Sequence, residues 1–221
     1  MERGKFIVLE GINGAGKSTQ AVKLAERLKA DGFEVVQIFD PGSSEVGMKI
    51  REIVKYDYLK ESEKLHVNTQ IALYAAARTQ TAYSVIWPAI EAGKIVIADR
   101  WYHSTLAYQG YAQDAEILGG SEGIISVMAI LTGGLKPDHT VVLDVDIAEA
   151  QNRRKVMEGD KADRFESQGD AFQKLLHQAY VLIASTQENT VLIDANSNDI
   201  DVVHTKVYHS VTNAIHATSI H

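Results

Sequence analysis

The run Gly11-Ile12-Asn13-Gly14-Ala15-Gly16-Lys17-Ser18-Thr19 constrains the fold of this chain more than any other stretch, because it meets G-x-x-x-x-G-K-[ST] at every fixed position. Its glycines let the backbone curl until successive N–H groups converge on phosphate oxygens. Such a loop needs a strand feeding in and a helix leading out. Phe6-Ile7-Val8-Leu9 reads as a buried parallel strand, and Gln20–Leu28 as an amphipathic helix whose positive N-terminus faces the phosphates. The motif therefore predicts a nucleoside triphosphate held by Gly11, Asn13, Gly14, Ala15, Gly16, Lys17, Ser18 and Thr19. Lys17 would reach the β- and γ-phosphates, and Ser18 would offer its hydroxyl to Mg²⁺.

The rest of the chain alternates strand-like and helix-like segments, which predicts a parallel sheet with helices on both faces. Candidate strands are Phe6–Leu9, Glu34–Phe39, Lys94–Ala98, Thr140–Val145 and Thr190–Ile193, each rich in Val, Ile or Leu as doubly buried strands are. Helical stretches are expected at about Glu63–Ala92, Ile124–Leu131, Phe172–Ser185 and Asp199–Ala214, with Pro88 kinking or ending the first. The fold class expected is α/β, a P-loop NTPase three-layer sandwich with a five-stranded parallel sheet. With 221 residues the chain fits one domain, 1–221, carrying a polar, charged flap over about 153–168.

Charge and composition narrow the function classes. Lys plus Arg total 22 against 29 Asp plus Glu, so a net charge of −7 argues against a nucleic-acid partner. The absence of cysteine excludes a disulfide framework and a thiolate zinc site. No apolar run reaches the length of a membrane span, and Met1–Lys5 runs directly into the first strand without room for a signal peptide. A cytoplasmic protein without a membrane partner is expected.

At the end of the Lys94–Ala98 strand stand Asp99 and Arg100. A carboxylate beside a phosphate loop can hold Mg²⁺ through water, and a guanidinium can fork onto an oxyanion. Together with neighbouring motifs these residues resemble the thymidylate kinase family. The family's Thr-Gln after the loop stands here as Thr19-Gln20, and its Phe-Ala-Ala-x-Arg as Tyr74-Ala75-Ala76-Ala77-Arg78. Its Asp-Arg-Tyr…Ser-x-x-Ala-Tyr-Gln-Gly is matched by Asp99-Arg100-Trp101…Ser104-Thr105-Leu106-Ala107-Tyr108-Gln109-Gly110. Gly134-Leu135-Lys136-Pro137-Asp138…Leu143-Asp144-Val145 and Asp163-Arg164-Phe165-Glu166 complete the set.

The resemblance implies transfer of a phosphoryl group from ATP to dTMP, with Mg²⁺ at Ser18 and Asp99, and a homodimer. It implies that Tyr74 stacks on thymine, Arg78 donates to its O4, Thr105 sits by N3–H, and Tyr108 crowds the sugar C2′. Ser104 and Gln109 come with the same motif, and Ala195, after the last strand, falls on the nucleotide side. The phosphate loop holds no arginine, so one is expected from the flap: Arg153 matches best, with Arg164 next. Lys17, Asp99 and one of these arginines would form the catalytic set.

Two departures mark a divergent member. Phe39 stands where the family carries an arginine that clamps the monophosphate, next to Asp40 on the substrate side. Arg100 then carries more of that load, with Arg51 or Lys49 as helper. Asn13 stands where an acidic residue is usual. A kinase of another, or of several, deoxynucleoside monophosphates is the alternative. A GTP-dependent switch is excluded, since neither Asp-x-x-Gly nor Asn-Lys-x-Asp occurs in the chain. Intact Lys17, Ser18, Asp99 and Arg100 argue against a catalytically dead binding module.

Overall fold

Apolar runs with little polar interruption build the centre of the molecule. In the computed structural model, which describes residues 3–55, 64–115, 120–158, 165, 168–197 and 199–217, they form β1 (Phe6–Glu10), β2 (Val35–Phe39), β3 (Ile95–Asp99), β4 (His139–Asp144) and β5 (Thr190–Asp194). Among the described residues these make one sheet in the order β2-β3-β1-β4-β5. Every pairing is parallel, with Ile7 of β1 opposite Ile97 on one side and His139 on the other. The five expected strands are all present, shifted by no more than a residue or so at their ends.

Side-chain alternation along β1 divides the core in two. Ile7 and Leu9 face one layer, with Leu24 and Leu28 of α1 (Lys17–Ala30), Leu176 and Ile183 of α8 (Gly169–Thr186), and Val207 and Val211 of α9 (Ile200–His216). Phe6 and Val8 face the other, where Ile86, Ile90, Trp101 and Leu135 pack, the Phe6 ring meeting Trp101 edge-on at 5.3 Å. This is the expected three-layer α/β arrangement.

The helices differ more from expectation than the strands do. The expected Glu63–Ala92 helix, whose first residue lies outside the described residues, starts at Val67 after a non-helical 64–66 and runs as α3 (Val67–Thr81), a π-helical turn (Ala82–Ile86) and α4 (Trp87–Glu91). Pro88 therefore does not end it. The wide turn before the proline accommodates a ring that has no N–H to give, and Trp87 donates instead to Ala82 O. Helices α2 (Glu45–Lys55) and α5 (Tyr102–Thr105, running into a π-helical Leu106–Ala112) were not expected, while α7 (Ile147–Glu158) takes in the first residues of the expected flap, most of whose remainder lies outside the described residues. Helix α6 (Ser121–Leu131) begins three residues earlier than expected.

All five strands point the same way, so Glu10, Phe39, Asp99, Asp144 and Asp194 end them along one edge. That is where a parallel sheet gathers its functional loops. At the opposite edge, Arg3, Lys5, Lys136, His139, Asn189 and Ala217 line a shallow hollow.

Candidate active site

The phosphate loop follows β1 and is wedged against the next strand. Gly11 and Gly14 have φ of 136° and 85°. A Cβ on Gly11 would stand 2.6 Å from Leu143 O, and one on Gly14 2.2 Å from Ala150 O, so only glycine fits either position. The Lys17 ammonium donates to Ile12 O at 2.8 Å across the loop. The Ser18 hydroxyl donates to Asp99 Oδ2 at 2.5 Å, linking the start of α1 to the end of β3. Ala195 lies on the same edge, its N–H donating to Asp144 O at 2.7 Å.

Burial pushes Lys17 down to about 7, Arg100 pushes the same way, and Asp99 and Glu10 pull it back. A cation held this expensively is suited to a ligand that brings several negative charges. Ser18 and Asp99 fit a Mg²⁺ ion as hard oxygen donors at the mouth of the loop. Among the described residues no group of three or more His, Asp or Glu side chains could hold a metal. The ion would then take its remaining ligands from phosphates and water, as Mg²⁺ commonly does.

Arg100 has a left-handed backbone, φ 77°, which a bulky residue rarely adopts. Its side chain turns back over the loop, donating to Gly11 O at 3.1 Å and to the hydroxyls of Ser104 and Tyr180 at 3.0 Å each. A further bond goes to Asn13 Oδ1. The Tyr108 ring lies under the guanidinium, 5.6 Å to its centroid. Phosphate loop and Arg100 thus share one cleft.

The wall expected to receive a base is a buried ion pair in this structure. Arg78, 1% exposed, donates to Asp40 Oδ2 at 2.7 Å, to Thr105 Oγ1 at 2.6 Å and to Trp101 O at 3.1 Å. Its remaining contact, to the Met128 sulfur at 3.8 Å, is weak. Arg78 was expected to be open to a base edge; instead its donors are largely taken by the protein, and Nη1 is the nitrogen best able to exchange a partner. Tyr74 stands one turn earlier on α3, 5.5 Å from the same guanidinium. Tyr108 is 8% exposed and meets Phe165 edge-on at 5.2 Å. Gln109 is buried and donates to Gln70 Oε1 at 3.1 Å.

Arg51 donates to Pro41 O at 2.8 Å and lies over the Phe39 ring at 5.4 Å. The cation expected as helper thus sits against the residue that replaced the clamp. Arg153 departs from the expected picture. On α7 it pairs with Glu149 at 2.8 Å and donates to Ala195 O and Ser197 O at 3.0 and 3.1 Å. It ties α7 to the loop after β5. Arg164 lies outside the described residues.

Comparison with known proteins bears on this arrangement directly. The sequence model described as thymidylate kinase matches residues 9–207. The chain belongs to the thymidylate kinase family. A thymidylate kinase of Exiguobacterium sibiricum is 37% identical over 88% of each chain. Those of Halothermothrix orenii and Caldanaerobacter subterraneus subsp. tengcongensis are 36% and 39% identical, covering 95% of this chain and 97% and 95% of their own. The loop, the Asp99–Arg100 turn and the Tyr74–Arg78 helix all fall inside the matched span.

Three residues of this thymidylate kinase site went unread in the sequence. Glu10 and Tyr180 meet behind Arg100, and Gln70 stands one turn before Tyr74. Glu10 did leave a trace, as the one charge closing an otherwise apolar strand.

Proposed function

We propose that this protein transfers the γ-phosphoryl group of ATP to dTMP, giving dTDP and ADP, with Mg²⁺, in the cytoplasm. The observation that carries the reading is one cleft shared by Lys17, Ser18 and Asp99 on the donor side and Arg100 on the acceptor side. Lys17 and the loop N–H groups neutralise charge on the donor phosphates, and Ser18 and Asp99 would hold a Mg²⁺ ion that would add to that neutralisation. Arg100 holds the acceptor phosphate in line, and Arg51, kept in place by Pro41 O and the Phe39 ring, supplements it. Tyr74 offers a ring face to the base, while Thr105 and the Arg78 Nη1 edge face its polar side.

The test is ADP release, coupled to a visible readout, across all ribo- and deoxynucleoside monophosphates. The expected result is the highest kcat/KM with dTMP. A higher value with another monophosphate transfers the reading to that acceptor, and Phe39 and Asn13 are the residues to examine first.

A homodimer belongs to the same proposal. Helices α2 and α6 both pack on α3 and both leave apolar side chains in solvent, Val46 and Ile53 on the first, Ile130 and Leu131 on the second. A second copy would cover them.

A further inference from the structure

Glu10 ends β1 immediately before the phosphate loop and is wholly buried. One carboxylate oxygen accepts from the N–H groups of Trp101 at 2.8 Å and Ser104 at 3.1 Å. The other accepts from the Ser104 hydroxyl at 2.7 Å and the Tyr180 hydroxyl at 3.1 Å. Arg100 Nη1 lies 3.8 Å from that second oxygen and donates to the same two hydroxyls. The hydroxyls therefore stand between cation and carboxylate, accepting from one and donating to the other. Phosphoryl transfer as described above makes no use of Glu10.

A buried carboxylate of this kind is a poor device for stability alone, because apolar residues of equal volume usually serve as well. Its neighbours indicate another use. Arg100 must hold a left-handed backbone, and its own N–H is fixed to Leu9 O at 3.0 Å. The N–H groups of Trp101 and Ser104 both donate to Glu10, that of Ser104 being shared with Trp101 O at 3.1 Å. Backbone bonds on both sides of Arg100 thus fix the turn, and the two hydroxyls fix its guanidinium.

We propose that Glu10 is the positioning residue for the acceptor-phosphate cation: it sets the Arg100 turn and, through Ser104 and Tyr180, holds the guanidinium at the mouth of the phosphate loop. This rests on Arg100 being the acceptor-phosphate partner. Burial pushes the Glu10 carboxyl up, while Arg100, the Trp101 N–H, Ser104 and Lys17 pull it back. Every polar contact it makes is with a donor, which suits an ionised, acceptor-only carboxylate.

Glu10→Gln tests this with little change of shape, because it turns one acceptor oxygen into a donor. The Ser104 and Tyr180 hydroxyls would then accept from the amide as well as from Arg100, their own O–H groups would lose their acceptor, and the negative charge facing the guanidinium would be gone. The dTMP KM should rise about tenfold, while the ATP KM stays within about twofold. Tyr180→Phe keeps the ring and removes only the hydroxyl, and should raise the dTMP KM by about threefold. General loosening of β1 would raise the ATP KM in step, since Glu10 adjoins Gly11. A parallel rise in both constants overturns the proposal, as does a dTMP KM unchanged in both variants. Should Glu10→Gln not fold, Tyr180→Phe decides by the same criteria. If the wild-type protein shows no dTMP-dependent turnover, the functional reading fails and this proposal with it. Normal wild-type turnover with unresponsive variants removes this proposal alone.

Discussion

Lys17 is 6% exposed, and its burial, with Arg100 nearby, pushes its ammonium down to about 7. An unfolded chain keeps its lysine protonated up to about 10.4. Between those values the unfolded state binds the extra proton, so this group's contribution makes the free protein more stable as pH rises through 7. Nucleotide phosphates act oppositely, favouring the charged ammonium. Binding of MgATP at pH 8 should therefore take up a proton at Lys17. Calorimetry in buffers of different ionisation enthalpy measures that uptake, and Lys17→Ala should abolish it. The same variant should lose two or more orders of magnitude in turnover, about 3 kcal/mol, with its thermal unfolding unchanged or raised. A wild type with no lysine-dependent uptake would mean that Lys17 is already charged in the free protein. At this scale the sequence reveals residues that carry their own spacing signal: Lys17, Ser18, Asp99 and Arg100 stand in ordered motifs. Glu10 and Tyr180 are 170 positions apart, and a single sequence holds no sign that they touch.

Helix α7 shows what an element adds to its residues. Arg153 was expected as a transition-state cation, yet its guanidinium bridges Glu149, Ala195 O and Ser197 O. In this conformation it braces the loop after β5. Arg153→Ala should raise the ATP KM several-fold and leave the dTMP KM unchanged in steady-state kinetics. A fall in kcat of about tenfold or more at constant ATP KM would instead mean that Arg153 leaves these acceptors during turnover. The helix after β3 shows why periodicity missed it. Tyr102–Ala112 is rich in residues of low helix propensity, with a glycine at position 110, and packing against α8 and α6 overrides that preference. Its π-helical part keeps Tyr108 and Gln109 both buried, although neighbours on a regular helix point about 100° apart. No apolar repeat in the sequence announces such a turn. The strands were legible because continuous runs of Val, Ile and Leu have few other uses at that length.

For the whole molecule, the exposed apolar residues are the feature that fold and chemistry leave over. Ile130 is 77% exposed, and Ile53 and Val46 stand out from α2. The protein should run as a dimer in size-exclusion chromatography with light scattering, and Ile130→Asp should shift it towards monomer. A wild-type monomer at micromolar concentration would remove the dimer from the proposal. Layering and parallel strand direction were legible from the alternation of strand and helix. The order β2-β3-β1-β4-β5 is a matter of long-range pairing, which composition and periodicity do not encode.

The hollow on the far edge of the sheet has a practical consequence. Arg3 and Ala217 both line it, so the two ends of the described chain lie at the pole opposite Lys17 and Arg100. A tether placed there, whether to a resin, a reporter or a second enzyme, hangs away from the cleft of Lys17 and Arg100. Joining residues 3 and 217 with a few glycines and serines would close the described residues into a ring at that pole, leaving surface turns elsewhere free to be opened.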